Sequence, residues 1–178
     1  MASSRALETG RLRVMPFAAA FLTEKYVGWL NDPEVVRFSE QRHRQHTMES
    51  CRDYWRSFEN SPNFFWAITL RDGSAAHIGN ITAHVDLPNR VADVGILIGE
   101  RKAWGRNYGS EAWEAVCEYL LNDAGMRKVT AGTMADNHGM LGIMRKTGMV
   151  AEGRRLRQFL LDGREVDLVE AARFRKSA

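Results

Sequence analysis

The sequence has 178 residues, of which 44% are hydrophobic and 26% charged, and this composition fits one soluble globular domain. Its net charge of +3 is too small to indicate nucleic acid binding by itself, and its longest apolar run, residues 17–22, is far shorter than the roughly 20 residues of a membrane span. Two cysteines, Cys51 and Cys117, cannot form a disulfide framework, and no Cys/His spacing suits zinc, so we predict a cytoplasmic protein without a metal site.

The order of the predicted elements indicates a single α/β domain over residues 11–176, after a flexible start at residues 1–10. Apolar residues at helical spacing predict two early helices, and short turns between the strands that follow predict an antiparallel meander. The fold class is therefore a mixed, mostly antiparallel central sheet flanked by helices. The predicted strands are 12–15, 64–70, 77–85, 91–98, 128–133, 149–152, 157–161 and 165–174, and the predicted helices are 21–30, a turn at 34–38, 47–58, 109–123 and 137–146.

The sharpest local pattern is a strand followed by a basic, glycine-containing loop and a helix, over residues 96–112. Successive backbone N–H groups in such a loop form an anion site, and the helix start adds positive potential, which suits a pyrophosphate. The loop lacks the Gly-Lys-Ser/Thr ending of a P-loop and the glycine spacing of a dinucleotide fingerprint. On this loop alone, an ordinary strand–helix turn with solvated arginines explains the pattern equally well.

Two motifs in the same order carry a resemblance to the GCN5-related N-acetyltransferase (GNAT) superfamily over roughly residues 11–174. The family's acetyl-CoA loop, Gln/Arg-x-x-Gly-x-Gly/Ala, falls on Trp104–Gly109, and its Asn-x-x-Ser…Lys-x-Gly-Phe-x-x-Glu-Gly stretch falls on Asn137–Gly153. The segment Trp29–Val35 resembles the branch that contains the ribosomal-protein N-terminal acetyltransferases and related bacterial amine acetyltransferases.

This resemblance implies an acyl-CoA N-acyltransferase-like fold and acetyl-CoA as cosubstrate, with direct transfer of the acetyl group to a primary amine. It also implies that the strand ending at Ile98 splays from its neighbour and holds the pantetheine through main-chain bonds. The cofactor-binding residues implied in this way are Ile96, Ile98, Arg101, Trp104, Gly105, Arg106, Asn107, Tyr108, Gly109, Ser110, Asn137 and Met140.

The sequence departs from the family pattern at several of these positions. Trp104 replaces Gln/Arg, and Asn107 replaces the first glycine; asparagine is the next-best residue for a left-handed backbone, so we expect the loop to keep its shape. Met140 stands where many relatives have Ser, and Met144 stands where others have the Tyr that protonates the leaving thiolate. The general acid is therefore not identified by the sequence.

Four residues are candidate bases, because an amine must lose a proton to attack a thioester: His84, Asp93, Glu152 and Glu100, of which Glu100 fits a solvated loop residue better. Asp93 and His84 lie on neighbouring predicted strands, and His84 shares a face with Asn80 and Thr82, a polar set that also fits a solvent-facing strand. Glu152 carries the Glu-Gly position of the resemblance. We expect both cysteines to be structural, so that no acyl-cysteine intermediate forms.

The predicted acceptor site lies at the basic, histidine-bearing loop 38–46, which the resemblance places near Trp29 and Asn31. Two arginines and two histidines of this loop suit a small anionic amine, such as a nucleotide-linked amino sugar, although a solvated loop has the same composition: Arg42, His43, Arg44 and His46, of which Arg42 and His43 are selected as site residues. A protein or peptide N-terminus is the rival acceptor, and a non-catalytic acyl-CoA-binding module is the rival function. We expect neither nucleic acid nor membrane as a partner; a homodimer stays open.

Overall fold

The computed structural model describes residues 5–176, and an eight-stranded sheet organises them. The strands are β1 (Leu7–Glu8), β2 (Leu12–Pro16), β3 (Phe64–Leu70), β4 (His77–Asp86), β5 (Val91–Ile98), β6 (Lys128–Met134), β7 (Val150–Leu161) and β8 (Arg164–Phe174). Their order across the sheet is β1-β2-β3-β4-β5-β6-β8-β7, and every neighbouring pair is antiparallel except β5 and β6. The predicted mixed, mostly antiparallel sheet is confirmed.

Four α-helices cover the two faces of this sheet: α1 (Glu24–Asn31), α2 (Met48–Arg56), α3 (Tyr108–Glu118) and α4 (His138–Lys146). Side-chain caps start three of them, because Thr23, Thr47 and Asn137 each accept a hydrogen bond from a backbone N–H of the first turn. The predicted helix 109–123 continues beyond α3 as a π-helical turn, Tyr119–Asp123.

The core has one apolar cluster on each face of the sheet, because the side chains of β3 alternate between them. Phe65 and Ala67 pack with Tyr26 of α1 and Cys51 of α2. On the other face, Trp66 and Ile68 belong to the cluster that includes the predicted apolar stripe of the long helix. That stripe is fully buried and consists of Ala112, Trp113, Val116, Cys117, Leu120 and Leu121.

The strands β5 and β6 diverge after a short parallel ladder. They pair only from Val91 opposite Lys128 to Asp93 opposite Thr130, although β5 continues to Ile98 and β6 to Met134. The splay that the resemblance implied is therefore present. Beyond Asp93, the backbone of β5 has no strand partner on the β6 side, and a cleft opens there.

The structure differs from the sequence-based prediction at both ends of the chain. Of the start expected to be flexible, residues 1–4 lie outside the described residues, but Leu7 and Glu8 pair with Val14 and Arg13, so this part is ordered in the sheet. The predicted strands 149–152 and 157–161 form one strand, β7, whose register against β8 shifts twice. The predicted helical turn at 34–38 forms non-helical turns.

Candidate active site

Two cavities meet on β5. The larger one, about 940 Å³ in volume, lies where β5 and β6 part and is called the β5–β6 cleft. The smaller one, about 460 Å³, lies between the sheet and the helices α1 and α2 and is called the α1–α2 cavity. Both are lined by Ser39 and by residues 95–97, so ligands in the two cavities would approach each other across the end of β5.

The loop before α3 has the backbone shape that the sequence predicts for an anion site. Asn107 is the N-cap of α3 and adopts a left-handed conformation with φ of 62°, and Gly105 has φ of 73°. Lys146 Nζ donates a hydrogen bond of 2.5 Å to Asn107 Oδ1, which ties the loop to α4. The expectation that asparagine preserves this turn in place of glycine is confirmed.

Most of the predicted cofactor-binding residues line the β5–β6 cleft. The exceptions are Arg101, whose guanidinium pairs with Glu34 and lies 5.8 Å from the centre of the Trp104 ring, and Arg106, which is exposed. Two cations of α4, Arg145 and Lys146, line the cleft instead. The residue-by-residue comparison with the family motif did not select them. The lining residues predicted from the sequence are Ile96, Ile98, Trp104, Gly105, Asn107, Tyr108, Gly109, Ser110, Asn137 and Met140.

The residues of the cleft fit a ligand that carries a diphosphate. The N-terminus of α3 supplies unpaired backbone N–H groups and partial positive charge, and two cations stand at the C-terminal end of α4. Asn137 forms part of the cleft wall, but its amide is already occupied. Its Oδ1 accepts from Met140 N at the start of α4, and its Nδ2 donates to Thr133 Oγ1 over 3.0 Å.

Polar side chains of β4 and β5 line the α1–α2 cavity in cross-strand pairs. Thr82 lies opposite Gly95, and His84 lies opposite Asp93. Desolvation in the cavity raises the pKa of the Asp93 carboxyl, although a 2.8 Å hydrogen bond from Thr130 Oγ1 and the nearby His84 act in the opposite direction. A carboxyl held this way is a suitable proton acceptor, and both Asp93 and His84 are candidates that the sequence identified.

Glu152, the third candidate base, lies away from both cavities. Its carboxylate forms a 2.7 Å ion pair with Lys128 at the beginning of β6. Lys128 lies four residues, or about 13 Å along the strand, before Gly132, and Gly132 lines the β5–β6 cleft. The expectation that Glu152 acts as a base therefore gains no support from the structure, because Glu152 lines neither cavity and its carboxylate is paired with Lys128.

Two of the predicted acceptor-binding residues are structural supports. Trp29 is only 7% exposed and packs on Gly99, where a Cβ atom would lie 2.0 Å from the indole ring. Asn31 clamps the backbone of His46: its Nδ2 donates to the His46 carbonyl and its Oδ1 accepts from the His46 N–H, both over 2.8 Å. Neither side chain lines the α1–α2 cavity.

The other two predicted acceptor-binding residues also point away from the cavity. The Arg42 guanidinium donates to the Glu40 carboxylate (2.8 Å) and to the carbonyls of Ser39 and Leu160 (2.9 and 3.2 Å), and His43 is exposed. The loop nevertheless forms a wall of the cavity, through the other members of its basic run. Arg44 and His46 are the basic members of this run that line the cavity. Tyr54, Asn80 and Thr82 also line it and were not selected as site residues.

The remaining chemistry-bearing residues support a site without a covalent intermediate. Burial raises the pKa of the Cys117 thiol to about 12, and it also raises the pKa of Cys51. Met144 is buried in the core, while Met140 lines the β5–β6 cleft. Within residues 5–176, no three His, Cys, Asp or Glu side chains are grouped as ligands of a metal ion. In the same residues, no helix has the length and apolar character needed to cross a membrane.

Known proteins with the same fold are acetyltransferases. A GNAT-family acetyltransferase from Bacillus anthracis is 19% identical, with a TM-score of 0.82 over 97% of this chain and 100% of the other. A ribosomal L7/L12 alpha-N-protein acetyltransferase in complex with coenzyme A is 13% identical, with a TM-score of 0.83 over 96% and 98%. A spermidine N-acetyltransferase from Vibrio cholerae, in complex with coenzyme A and spermine, is 13% identical, with a TM-score of 0.82 over 94% and 97%.

Sequence comparison points to the same family. An uncharacterised protein of Methanocaldococcus jannaschii is 27% identical over 115 residues, and the match spans 64% of this chain but only 23% of that relative's length. The sequence profile of the acetyltransferase (GNAT) domain matches residues 11–150. This match covers most of the chain, and the chain therefore belongs to the GNAT acetyltransferase family.

Proposed function

We propose that the protein is an acetyl-CoA-dependent N-acetyltransferase that acts by direct transfer on the primary amine of a small anionic acceptor. The observation that carries this proposal is the meeting of the two cavities at residues 95–97 of β5. One cavity has an anion-binding helix start, and the other has a carboxyl–histidine pair. Such a junction brings an activated acyl group and an amine together with a proton acceptor at hand.

Acetyl-CoA, when bound, supplies the acetyl group activated as a thioester. In this proposal the N-terminus of α3 with Arg145 and Lys146 holds the diphosphate, and residues 96–98 of β5 hold the pantetheine. The backbone N–H groups of β5 beyond Asp93 have no partner on the β6 side, and they are the donors available to a developing oxyanion.

Asp93 is the proposed proton acceptor, and His84 across the strand pair is its partner. The pKa of Asp93 is raised, chiefly by desolvation, which makes the carboxylate a better base than an aspartate of ordinary pKa. Asp93 accepts the proton that the acceptor's ammonium group releases. Asp93 lies two residues before the junction at Gly95, about 7 Å along the strand, and its side chain together with a water molecule spans that gap.

The charge of the α1–α2 cavity supports an anionic acceptor. Asp93 is the sole carboxylate among the described residues that line it, and the lining also includes one arginine, Arg44, and two histidines, His46 and His84. A polyamine with several positive charges would need more carboxylates than this cavity offers. A neutral peptide N-terminus is compatible with the volume but leaves Arg44 without a partner.

A screen of amines with acetyl-CoA, followed by free thiol release, tests the function. We expect turnover with small amines that carry a phosphate or a carboxylate, including nucleotide-linked amino sugars. Turnover with N-terminal peptides alone would show that the acceptor is a peptide N-terminus and not a small anionic amine. Calorimetric binding of acetyl-CoA without thiol release from any amine would indicate a non-catalytic acyl-CoA-binding module instead.

A further inference from the structure

Two polar atoms that line the α1–α2 cavity are buried without any hydrogen-bond partner. They are Nδ2 of Asn80 and Nε2 of His46. Asn80 is only 5% exposed, so its free amide hydrogens lie almost entirely out of bulk water. A buried donor without a partner is costly in a folded protein, and such a donor on a cavity wall is explained when a ligand supplies the missing acceptor.

The orientation of the Asn80 amide is set by His77. His77 Nε2 lies 3.0 Å from the carbonyl oxygen of Gly79 and 3.0 Å from Asn80 Oδ1. Because a backbone carbonyl only accepts hydrogen bonds, Nε2 must carry the proton, and it then donates to both oxygens. This assignment fixes Oδ1 of Asn80 toward His77 and leaves Nδ2 as the group directed at the ligand.

The His77 ring is itself held in place. Its centre lies 4.9 Å from that of Trp29 and 5.1 Å from that of Phe21. Burial lowers the pKa of His77 and Lys25 acts in the same direction, while the hydrogen bonds to Asn80 and Gly79 act in the opposite one without reversing the shift. The Asn80 donor is therefore part of a preorganised wall rather than a side chain free to rotate.

The basic loop adds a cation to this wall. Within the described residues, no ion pair or side-chain hydrogen bond engages the Arg44 guanidinium, whereas the neighbouring Arg42 is tied to Glu40 and to the loop backbone. The clamp of Asn31 on the backbone of His46 holds the same segment against the cavity. A fixed neutral donor, an imidazole and the exposed side chain of Arg44 thus belong to the lining of one cavity.

From these contacts we infer that Asn80, Arg44 and His46 bind a carboxylate of the acceptor, so that the acceptor is a small amino-acid-like molecule with an amine and a carboxylate. This inference rests on the proposed function and narrows its acceptor. A carboxylate offers oxygens to the amide, the imidazole and the guanidinium together. A phosphate dianion would be more costly to desolvate beside a site as buried as that of Asn80 and in the same cavity as Asp93.

The position of Asn80 is consistent with an acceptor that has a carboxylate at one end and an amine at the other. Asn80 lies opposite Leu97, and His84 lies opposite Asp93, four residues further along β4 on the same face. The carboxylate would lie at Asn80 and the amine near Thr82, opposite Gly95 at the junction of the two cavities. Asn80 and Thr82 are two residues, or about 7 Å, apart along β4, a span that suits a small amine with a carboxylate better than a nucleotide.

The test compares amines that differ only in the carboxylate. Thiol release with acetyl-CoA is measured for amino acids of several lengths, each paired with its carboxamide, and for a short peptide. We expect kcat/KM to be at least about tenfold higher for a carboxylate than for its carboxamide, since a lost charge-assisted bond changes binding by that order. Asn80→Leu and Arg44→Gln should each raise KM for the carboxylate and leave the carboxamide nearly unchanged.

Arg56→Gln is the matched control, since Arg56 lies at the end of α2 outside both cavities. Equal kcat/KM for carboxylates and carboxamides in the unmodified protein, or turnover of the peptide alone, would overturn the inference while leaving the transferase function in place. If no amine is turned over, ligand-observed NMR of the same pairs decides the question. Carboxylate binding lost in Arg44→Gln supports the carboxylate site although the function fails, and equal signals for both partners refute it.

Discussion

The hydrogen bond from Thr130 to Asp93 offers a direct test of the proposed base. Thr130→Val removes the hydroxyl and keeps the shape of the side chain. The lost bond is a charge-assisted one of 2.8 Å to Asp93 Oδ1, and such bonds contribute about 1.5–3 kcal/mol to the charged form. Because 1.36 kcal/mol corresponds to one pKa unit, the pKa of Asp93 should rise by about one unit or more.

The sign of the effect on activity follows from the role of the group. A base works when it is deprotonated, so kcat/KM should rise with pH through the pKa of Asp93, which already lies above its ordinary value. In Thr130→Val this rise should move to higher pH by about one unit, with a similar plateau. Asp93→Asn should abolish the rise and lower kcat by about 10²-fold or more.

The measurement is the pH profile of kcat/KM from thiol release, with Thr69→Val as the matched control. Thr69, like Thr130, donates to a single oxygen, in this case the carbonyl of Arg13, but it is buried on β3 and lines neither cavity. Its substitution should leave the profile in place. A profile that does not move in Thr130→Val, or that survives in Asp93→Asn, would show that another group accepts the proton.

Substitutions at three further positions separate the site from its surroundings. Glu152→Gln should leave kcat and its pH profile unchanged and cost less than about 1 kcal/mol in unfolding, because it removes only the partly exposed pair with Lys128; a large loss of kcat would restore Glu152 as a base. Asn107→Ala should weaken acetyl-CoA binding in calorimetry by about tenfold, since the left-handed backbone costs about 1–2 kcal/mol, whereas Asn107→Gly should bind normally. Gly99→Ala should lower the free energy of unfolding by about 1–3 kcal/mol in denaturant titrations because its Cβ would overlap Trp29; an unchanged midpoint would contradict the packing.

Local signals were the part of the site that the sequence could specify. The anion loop depends on residues 104–110, which are adjacent in the chain, and the substitution of asparagine for glycine at 107 has a purely local consequence. The strands β3 and β5 were likewise delimited correctly, because each is a short run of apolar and branched residues between turns.

Side-chain destinations depended on long-range register and were harder to predict. The positions of Glu152 and Asp93 are equally prominent in the sequence, but the fold places Asp93 beside His84 in a cavity and pairs Glu152 with Lys128 outside both cavities. In the same way, composition alone could not separate Arg42, which is tied to its own loop, from Arg44, which lines the cavity. The two arginines belong to one basic run and are only two residues apart, yet their side chains have different surroundings.

The two methionines at family positions sharpen what the pH profile should look like. Met144 packs into the core against α3, and Met140 lines the β5–β6 cleft; neither carries a proton to donate. A general acid at either position would make activity fall once that acid lost its proton at high pH. Because neither methionine titrates, these positions contribute no such fall. The ionisation of Asp93 is therefore the one that should shape the acid side of the profile, which is why a single hydroxyl on Thr130 is expected to move it.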